Sequence, residues 1–354
     1  MSVVHVVVPE GIDDPERPSG GNLYDRRICH GLESIGWSVH EHAVSGGWPR
    51  SSEVSLAALD QIVRRIPDDA VVLLDGLIAS TAPAVLVPQA RRLRLVVLVH
   101  MPLGHRPPDR AGDEVRDRER AVLSVAAVVV TTSHWSRRRL LELYRLPADH
   151  LRVAEPGVDA GKLATATAAG GALLCVAAVT FDKGHDVLID ALATLTERSW
   201  HCLCVGNLNR DPAFVEGLRR RLHGGCLADR VSFTGARTGA ELARRYADAD
   251  LLVLPSRAET YGMVIPEALT RGLPVIAAQV GGVTEALGYG AEGIRPGVLV
   301  PPDDPAALAG ALRAWLEDAN LRARLRRAAG ERRASLRAWT TTTSVIADVL
   351  AGAT

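Results

Sequence analysis

Lysine is almost missing from this chain: of its 41 basic residues, all but Lys162 and Lys183 are arginines. A composition that leans to arginine explains the scarcity, and it makes each surviving lysine worth locating. Cysteine is sparse too. The five (Cys29, Cys175, Cys202, Cys204, Cys226) are scattered, with no Cys-x-x-Cys pair. That argues against a zinc or disulfide framework and reads as small apolar side chains in a reducing compartment. No apolar run approaches the ~18 residues that span a bilayer. The opening MSVVHVVVPEG lacks a basic segment ahead of its apolar stretch, so it reads as a strand and not a secretory leader, and a cytoplasmic protein is expected. Charge excess is absent as well, 41 basic residues meeting 41 acidic ones. A nucleic-acid binder would carry a basic surplus, so no nucleic-acid partner is expected.

What is present is ample apolar material, 47% of 354 residues, enough for two domains. Short Val/Leu/Ile runs alternate with longer amphipathic segments. Strands are expected at 3–8, 37–42, 70–74, 95–99 and 127–131, then at 173–177, 201–206, 230–234, 250–254 and 274–277. Helices are expected between them: 22–35, with Leu23, Ile28, Leu32 and Ile35 on one face and Gly36 as the stop, and later 185–197, 212–222, 239–247 and 262–271. Near-continuous apolar strands joined by helices indicate parallel sheets covered on both faces, an α/β class. Residues 156–172 are rich in Ala, Gly and Thr without periodicity and read as a linker. The expected domains are therefore 1–160 and 170–335, with the last of three closing helices (305–316, 318–334, 339–350) carrying 339–354 back onto the first. In such sheets ligands bind at the carboxyl ends of strands, between the two domains, so the loops 9–21, 100–112, 178–184, 206–211, 255–261 and 278–285 are where chemistry is expected.

Three motifs are decoys. GYGAEG at 288–293 matches the dinucleotide fingerprint, but IRPGVLVPP follows it and cannot open the required helix. DAD at 248–250 resembles a manganese-holding Asp-x-Asp, yet it stands where a helix hands over to a buried strand, as solvated end residues do. HCLC at 201–204 puts His201 on the opposite strand face from Cys202 and Cys204, so no compact ligand set forms.

Two stretches carry chemistry. In VAAVTFDKGHDVLIDAL (176–192) a strand and loop place Lys183 at a helix start, where unpaired N–H groups, the dipole and a lysine suit a diphosphate; a solvated loop lysine is the plainer reading. In PSRAETYGMVIPEALTRGLP (255–274), Pro266 must lie near a helix start, which leaves the N–H groups of Gly262, Met263 and Val264 unpaired. An anion is favoured there, but a carboxylate against a diphosphate is repelled. Glu259 and Glu267 therefore fit as acceptors from neutral hydroxyls on either side of the phosphates, or else as a helix cap and a surface residue.

The chain resembles glycosyltransferase family 4, of the GT-B fold with two Rossmann-like domains facing each other across a cleft. The resemblance runs through SGGNLYDRRICHGLESIGWSVHE (19–41), VLVHMPLG (97–104), TTSHWSRRRLLELYRLPADHLRVAEPGVD (131–159), VTFDKGHDVLIDAL (179–192), FTGARTGAELARRYADADLLVLPS (233–256) and ETYGMVIPEALTRGLPVIAAQVGGVTE (259–285), with the E-x7-E pair the most specific part. It implies that Glu259, aided by the amides from Thr260, Tyr261, Gly262 and Met263, contacts donor-sugar hydroxyls, and that Glu267 grips the ribose. It further implies Lys183 on the diphosphate, the Gly20-Gly21 loop against the same phosphates, His100 on the donor sugar near the reacting centre, and Ala236 and Arg237 near the base. One departure stands out: the family often has an arginine five residues before the motif lysine, and here that position is Ala178. Arg210 or Arg257 is the candidate replacement cation.

The implied activity is a retaining, metal-independent transfer of a hexosyl group from a nucleoside-diphosphate sugar (UDP-sugar ahead of GDP-mannose) to a small-molecule or glycan hydroxyl, with no cofactor. A sugar-nucleotide epimerase, a phosphorylase or a non-catalytic sugar-nucleotide binder of the same fold are the alternatives. The arginines of WSRRRLLELYRLP (135–147) and of 64–65 and 91–94 read as solvated helix faces in preference to a membrane-docking surface. Trp48 is either exposed at an acceptor pocket or packed.

Overall fold

A computed structural model of the chain describes residues 2–105, 110–223 and 227–353, so Cys226 and part of the 100–112 loop lie outside the described residues. The chain divides into two compact units, one of Met1–Asp14, Ser19–Gly157 and Arg337–Thr354, the other of Pro15–Pro18 and Val158–Leu336.

The first unit holds β1 (Val3–Pro9), β2 (Ser38–Val44), β3 (Val71–Asp75), β4 (Arg94–Val99), β5 (Val128–Thr131) and β6 (Leu151–Val153), in the order β2-β1-β3-β4-β5-β6. Every pairing is parallel. Side chains alternate between two cores as strand geometry dictates: Val7, Leu74 and Val97 enter one, Val6, Leu73 and Val96 the other. The helix Gly20–Ser34 buries Tyr24, Asp25, Ile28, Cys29 and Leu32. It starts two residues earlier than its periodicity predicts, because Ser19 Oγ accepts from Asn22 N, so Gly20 and Gly21 form its first turn and not a loop. Leu23 and Ile35, expected on its apolar face, are exposed, and Asp25 is on that face instead. The terminal helix Trp339–Gly352 adds Ile346 and Leu350 to the second core. Trp48 is partly buried against the first core, its indole N–H donating to the Val44 carbonyl.

The second unit repeats the plan with β7 (Ala172–Val176), β8 (His201–Val205), β9 (Val231–Phe233), β10 (Leu251–Leu254), β11 (Val275–Ala278) and β12 (Gly297–Val300), ordered β12-β11-β10-β7-β8-β9 and again all parallel. Two strands absent from the sequence reading, β6 and β12, are the outer edges of their sheets, short and paired on one side only. The helices expected at 185–197 and 262–271 are shorter, His185–Ala193 and Val264–Leu269.

In each sheet the connections reverse direction beside the first strand. β1 sends the chain outward to β2 on one side, while β3 lies on its other flank; β7 is likewise flanked by β8 and β10. The loops leaving the carboxyl ends on either side of such a switch point diverge and leave a crevice for a ligand.

Asp250 corrects the expectation of a solvated strand end. It is buried, and its carboxylate accepts from Thr167 N and Thr167 Oγ1, both 2.6 Å away, and from Ala172 N at 2.9 Å, with Arg326 at 3.1 Å. It therefore fastens the Ala/Thr-rich segment to the second unit, a structural staple and not half of a metal pair. The four described cysteines are free and buried, and β12 follows the GYGAEG stretch where no helix was expected. Arg64 pairs with Asp60, Arg92 with Asp68, and Arg139 with Glu142. Among the described residues no helix is long and apolar enough to cross a membrane.

Candidate active site

In the second unit the crevice lies between β7 and β10. Lys183 ends the 3-10 turn Phe181–Lys183 after β7, and Gly184 follows in the left-handed region at φ 67°. Glycine is required there twice over, since a Cβ would stand 2.1 Å from the Pro255 carbonyl oxygen as well as straining the backbone. This close approach brings the Lys183 turn onto the loop leaving β10. Lys183 Nζ then lies 2.6 Å from Glu259 Oε1, which also accepts from Ser256 Oγ at 2.8 Å. The lysine remains the more exposed partner, 28% against 12%.

Beyond Glu259 the chain passes through Thr260 and the buried Tyr261 to Gly262 and Met263, then enters the short helix. Ile265 N donates to Gly262 O and Glu267 N to Met263 O, while the N–H groups of Gly262, Met263 and Val264 take no backbone carbonyl among the described residues. The carbonyl of Glu259 is held from the loop after β11 by Gly282 N at 3.2 Å. Glu267 is half-buried, and its Oε2 accepts from the hydroxyl of Tyr246 at 2.8 Å. Burial raises the Glu267 carboxyl above the ordinary glutamate range, an effect that the Tyr246 hydrogen bond and the Arg271 charge offset in part. The Tyr246 hydroxyl, buried and facing this carboxylate, is held firmly protonated.

Sequence reasoning did not single out Tyr246 or Ser256, although both stand inside quoted motif stretches. The signal for Tyr246 was its place as the one aromatic residue of the helix Gly239–Ala247, near its end and shortly before β10.

Two of the expected cations fare differently. Arg257 is heavily engaged: it grips Asp186 through both terminal nitrogens (2.9 and 2.8 Å), Asp303 at 2.6 Å and the Phe181 carbonyl, with its guanidinium 3.9 Å over the Phe181 ring. These contacts hold the Lys183 turn to the Glu259 loop, and two carboxylates already balance the Arg257 charge. Arg210 is exposed in the loop after β8 and makes no ion pair among the described residues. Ala236 and Arg237 follow β9, where Arg237 pairs with Glu241 at 3.5 Å.

In the first unit His100 leaves the end of β4, and the structure surrounds it with groups that sequence reading left out. Its Nε2 lies 2.7 Å from Asp25 Oδ1 and 3.7 Å from Asp75 Oδ2, both carboxylates being 3% exposed. Asp75 closes β3, and its Oδ1 caps the following turn by accepting from Leu77 N and Ile78 N. Burial and the Asp25 charge push the Asp75 carboxyl up to about 7. For His100, burial alone would lower the imidazole, but the two carboxylates outweigh it and the net shift is upward. Among the described residues these three form the one group of histidine, cysteine and acidic side chains with ligand atoms within 4.8 Å of one another. The loop after His100 is pinned by the buried Glu119, which accepts from Leu103 N, Gly104 N and Ser80 Oγ at 2.9–3.0 Å and from the Tyr144 hydroxyl.

Comparison with known proteins gives the family and the fold. The family description Glycosyltransferase Family 4 matches residues 3–162, and Glycosyl transferases group 1 matches 170–318. A D-inositol 3-phosphate glycosyltransferase of Jonesia denitrificans is 33% identical over 61% of this chain and 54% of its own length. The chain thus spans a little over half of that curated relative. Among solved structures, a sucrose-phosphate synthase from Thermosynechococcus elongatus superposes with a TM-score of 0.82 over 99% of both chains at 22% identity. Anabaena Alr3699/HepE in complex with UDP and glucose superposes with a TM-score of 0.77 over 99% of this chain and 100% of that one, at 20% identity. The two α/β units have the GT-B fold, and the chain belongs to the family 4 glycosyltransferases.

Proposed function

We propose that the protein moves a hexosyl group from a nucleoside-diphosphate sugar to a hydroxyl of a small-molecule or glycan acceptor, with retention of configuration and without a metal. A UDP-sugar is the first choice of donor and GDP-mannose the second. The observation that carries the reading is the order of groups at the β7/β10 crevice. A lysine ammonium and an acceptor carboxylate stand 2.6 Å apart; along the chain the amides of Gly262–Val264 follow, and after them a second half-buried carboxylate, Glu267. A pyrophosphate flanked by two sets of neutral hydroxyls needs that sequence of cation, amides and acceptors.

In the reaction the anomeric carbon–oxygen bond breaks and its electron pair goes to the departing diphosphate, whose growing charge Lys183 and the amides meet. Glu259 accepts from hexose hydroxyls and Glu267 from the ribose. Neither glutamate is assigned as a covalent nucleophile: the acceptor hydroxyl attacks on the face the diphosphate leaves, and its proton passes to the leaving oxygen. His100, Gly20 and Gly21 are assigned to the sugar and phosphates, and Ala236 and Arg237 to the base. The relative crystallised with UDP and glucose supports the choice of donor.

Calorimetric titration with UDP, GDP and ADP, followed by NMR of the anomeric centre in the product, tests the proposal. Lys183→Ala is expected to lower transfer about 100-fold or more with the fold intact by circular dichroism. Near-normal turnover of that variant, inversion at the anomeric carbon, or loss of transfer in EDTA would each count against it.

A further inference from the structure

We infer that Asp25 and Asp75 are positioning residues for His100: a proton carried on Asp75 Oδ2 is shared with the Asp25 carboxylate, and Asp25 holds His100 through Nε2–H, so that Nδ1–H is the donor offered to a ligand oxygen. This rests on the reading above that His100 meets the donor sugar.

The geometry leads there in steps. Asp25 comes from the helix after β1, Asp75 from the end of β3 and His100 from the end of β4, so the switch point of the first sheet gathers three residues distant in sequence. Asp25 Oδ1 is committed to His100, while Asp25 Oδ2 is buried with no hydrogen-bond partner. An orphaned carboxylate oxygen in a buried site is costly. Asp75 Oδ1 is occupied by two backbone amides, which leaves its Oδ2 to carry a proton. Two ionised carboxylates with oxygens within 4.8 Å of each other repel strongly in a low dielectric, and one histidine neutralises only one of them. A shared proton removes the repulsion and satisfies the orphaned oxygen together. The other titratable groups coupled to Asp25 are Tyr24 and Cys29 on the same helix; burial keeps the first protonated and pushes the second up to about 12.

The imidazole is held in place by its surroundings. The Tyr24 ring meets it edge-on at 5.3 Å. A Cβ on Gly21 would come within 3.2 Å of Cδ2, 3.4 Å of Cγ and 3.7 Å of Nε2, so the Gly21 backbone packs closely on the ring; with Nε2 committed to Asp25, Nδ1 is the ring nitrogen that remains for a ligand. A divalent cation is the competing occupant. Two ligands at about 2.1 Å from a metal stand roughly 3 Å or more apart, whereas His100 Nε2 and Asp25 Oδ1 are 2.7 Å apart, the length of a charge-assisted hydrogen bond.

The test is a pH titration of the histidine side-chain 15N resonances in the full chain, with His100→Ala for assignment, alongside transfer rates. The wild-type imidazole is expected to keep Nε2–H throughout and to titrate above an ordinary histidine. Asp25→Asn and Asp75→Ala should each lower that midpoint by about one pH unit and slow transfer about tenfold. Asp75→Asn, whose amide N–H can replace the shared proton, should restore the midpoint and recover most of the rate lost in Asp75→Ala. An ordinary wild-type midpoint, equal damage from Asp75→Asn and Asp75→Ala, or one equivalent of divalent metal removed by EDTA with a change in these resonances would overturn the inference. If the resonances behave as expected but His100→Ala transfers normally, the acid pair stands and the placing of His100 on the donor fails.

Discussion

Tyr246→Phe isolates one hydrogen bond at the heart of the candidate site. The tyrosine is buried, 1% exposed, with its hydroxyl 2.8 Å from Glu267 Oε2. Phenylalanine fills the same volume less one oxygen and keeps the ring beneath the Arg271 guanidinium, 4.8 Å away, so neither a cavity nor the cation–π contact confounds the result. A hydrogen bond to a charged acceptor is worth about 1.5–3 kcal/mol, and one pKa unit corresponds to about 1.4 kcal/mol. Burial already raises the Glu267 carboxyl, and the tyrosine opposes that rise. Its loss therefore lifts the carboxyl further. A protonated Glu267 accepts from fewer hydroxyls, so donor affinity is lost as pH falls, and the variant loses it at a higher pH than wild type. Calorimetric titration of UDP between pH 5 and 8 reads both effects. We expect affinity about five- to tenfold weaker at neutral pH and an acid limb moved to higher pH. If UDP binds the variant within twofold of wild type and the limb does not move, Glu267 does not hold the nucleotide.

Two further outcomes follow from the packing. Gly184→Ala must strain a left-handed residue by about 1–2 kcal/mol and push Pro255 away; donor kcat/KM should fall about tenfold or more, and an unchanged value would show that the Lys183–Glu259 contact is not needed. Asp250→Ala strands the Thr167 and Ala172 donors and the Arg326 charge, so urea unfolding should report a loss of about 3–5 kcal/mol, with Asp250→Asn milder because it keeps an acceptor; a loss under about 1 kcal/mol would refute the staple.

Much of the architecture was legible in the chain. Apolar runs such as VVLL (71–74) and LLVLP are buried strands because every side chain in them is apolar, and a parallel sheet buries both faces. Periodicity and caps placed most helices within a few residues. The short edge strands β6 and β12 escaped because an edge needs only one partner and carries no long apolar run; β6 even contains Arg152. The GYGAEG, DAD and HCLC motifs could be set aside on local grounds, although Asp250 is buried in place of solvated, since its donors come from a segment 83 residues away. Asp25 left a readable trace, an acid in register with Ile28, Cys29 and Leu32 on the buried face of a helix.

By itself the sequence determined the local elements and the residue chemistry: a rare lysine at a turn, glutamates around a helix start, a histidine at a strand exit. Only the tertiary structure decided which of these meet. Strand order is set by long-range packing, not by local propensity. By seating β10 beside β7 it joins Lys183 to Glu259 across 76 residues, and by seating β3 beside β1 with β4 beyond it, it joins Asp25 to His100 across 75. The same packing carries Arg257 onto Asp186 and Asp303, spending the charge that its place in the sequence had left open.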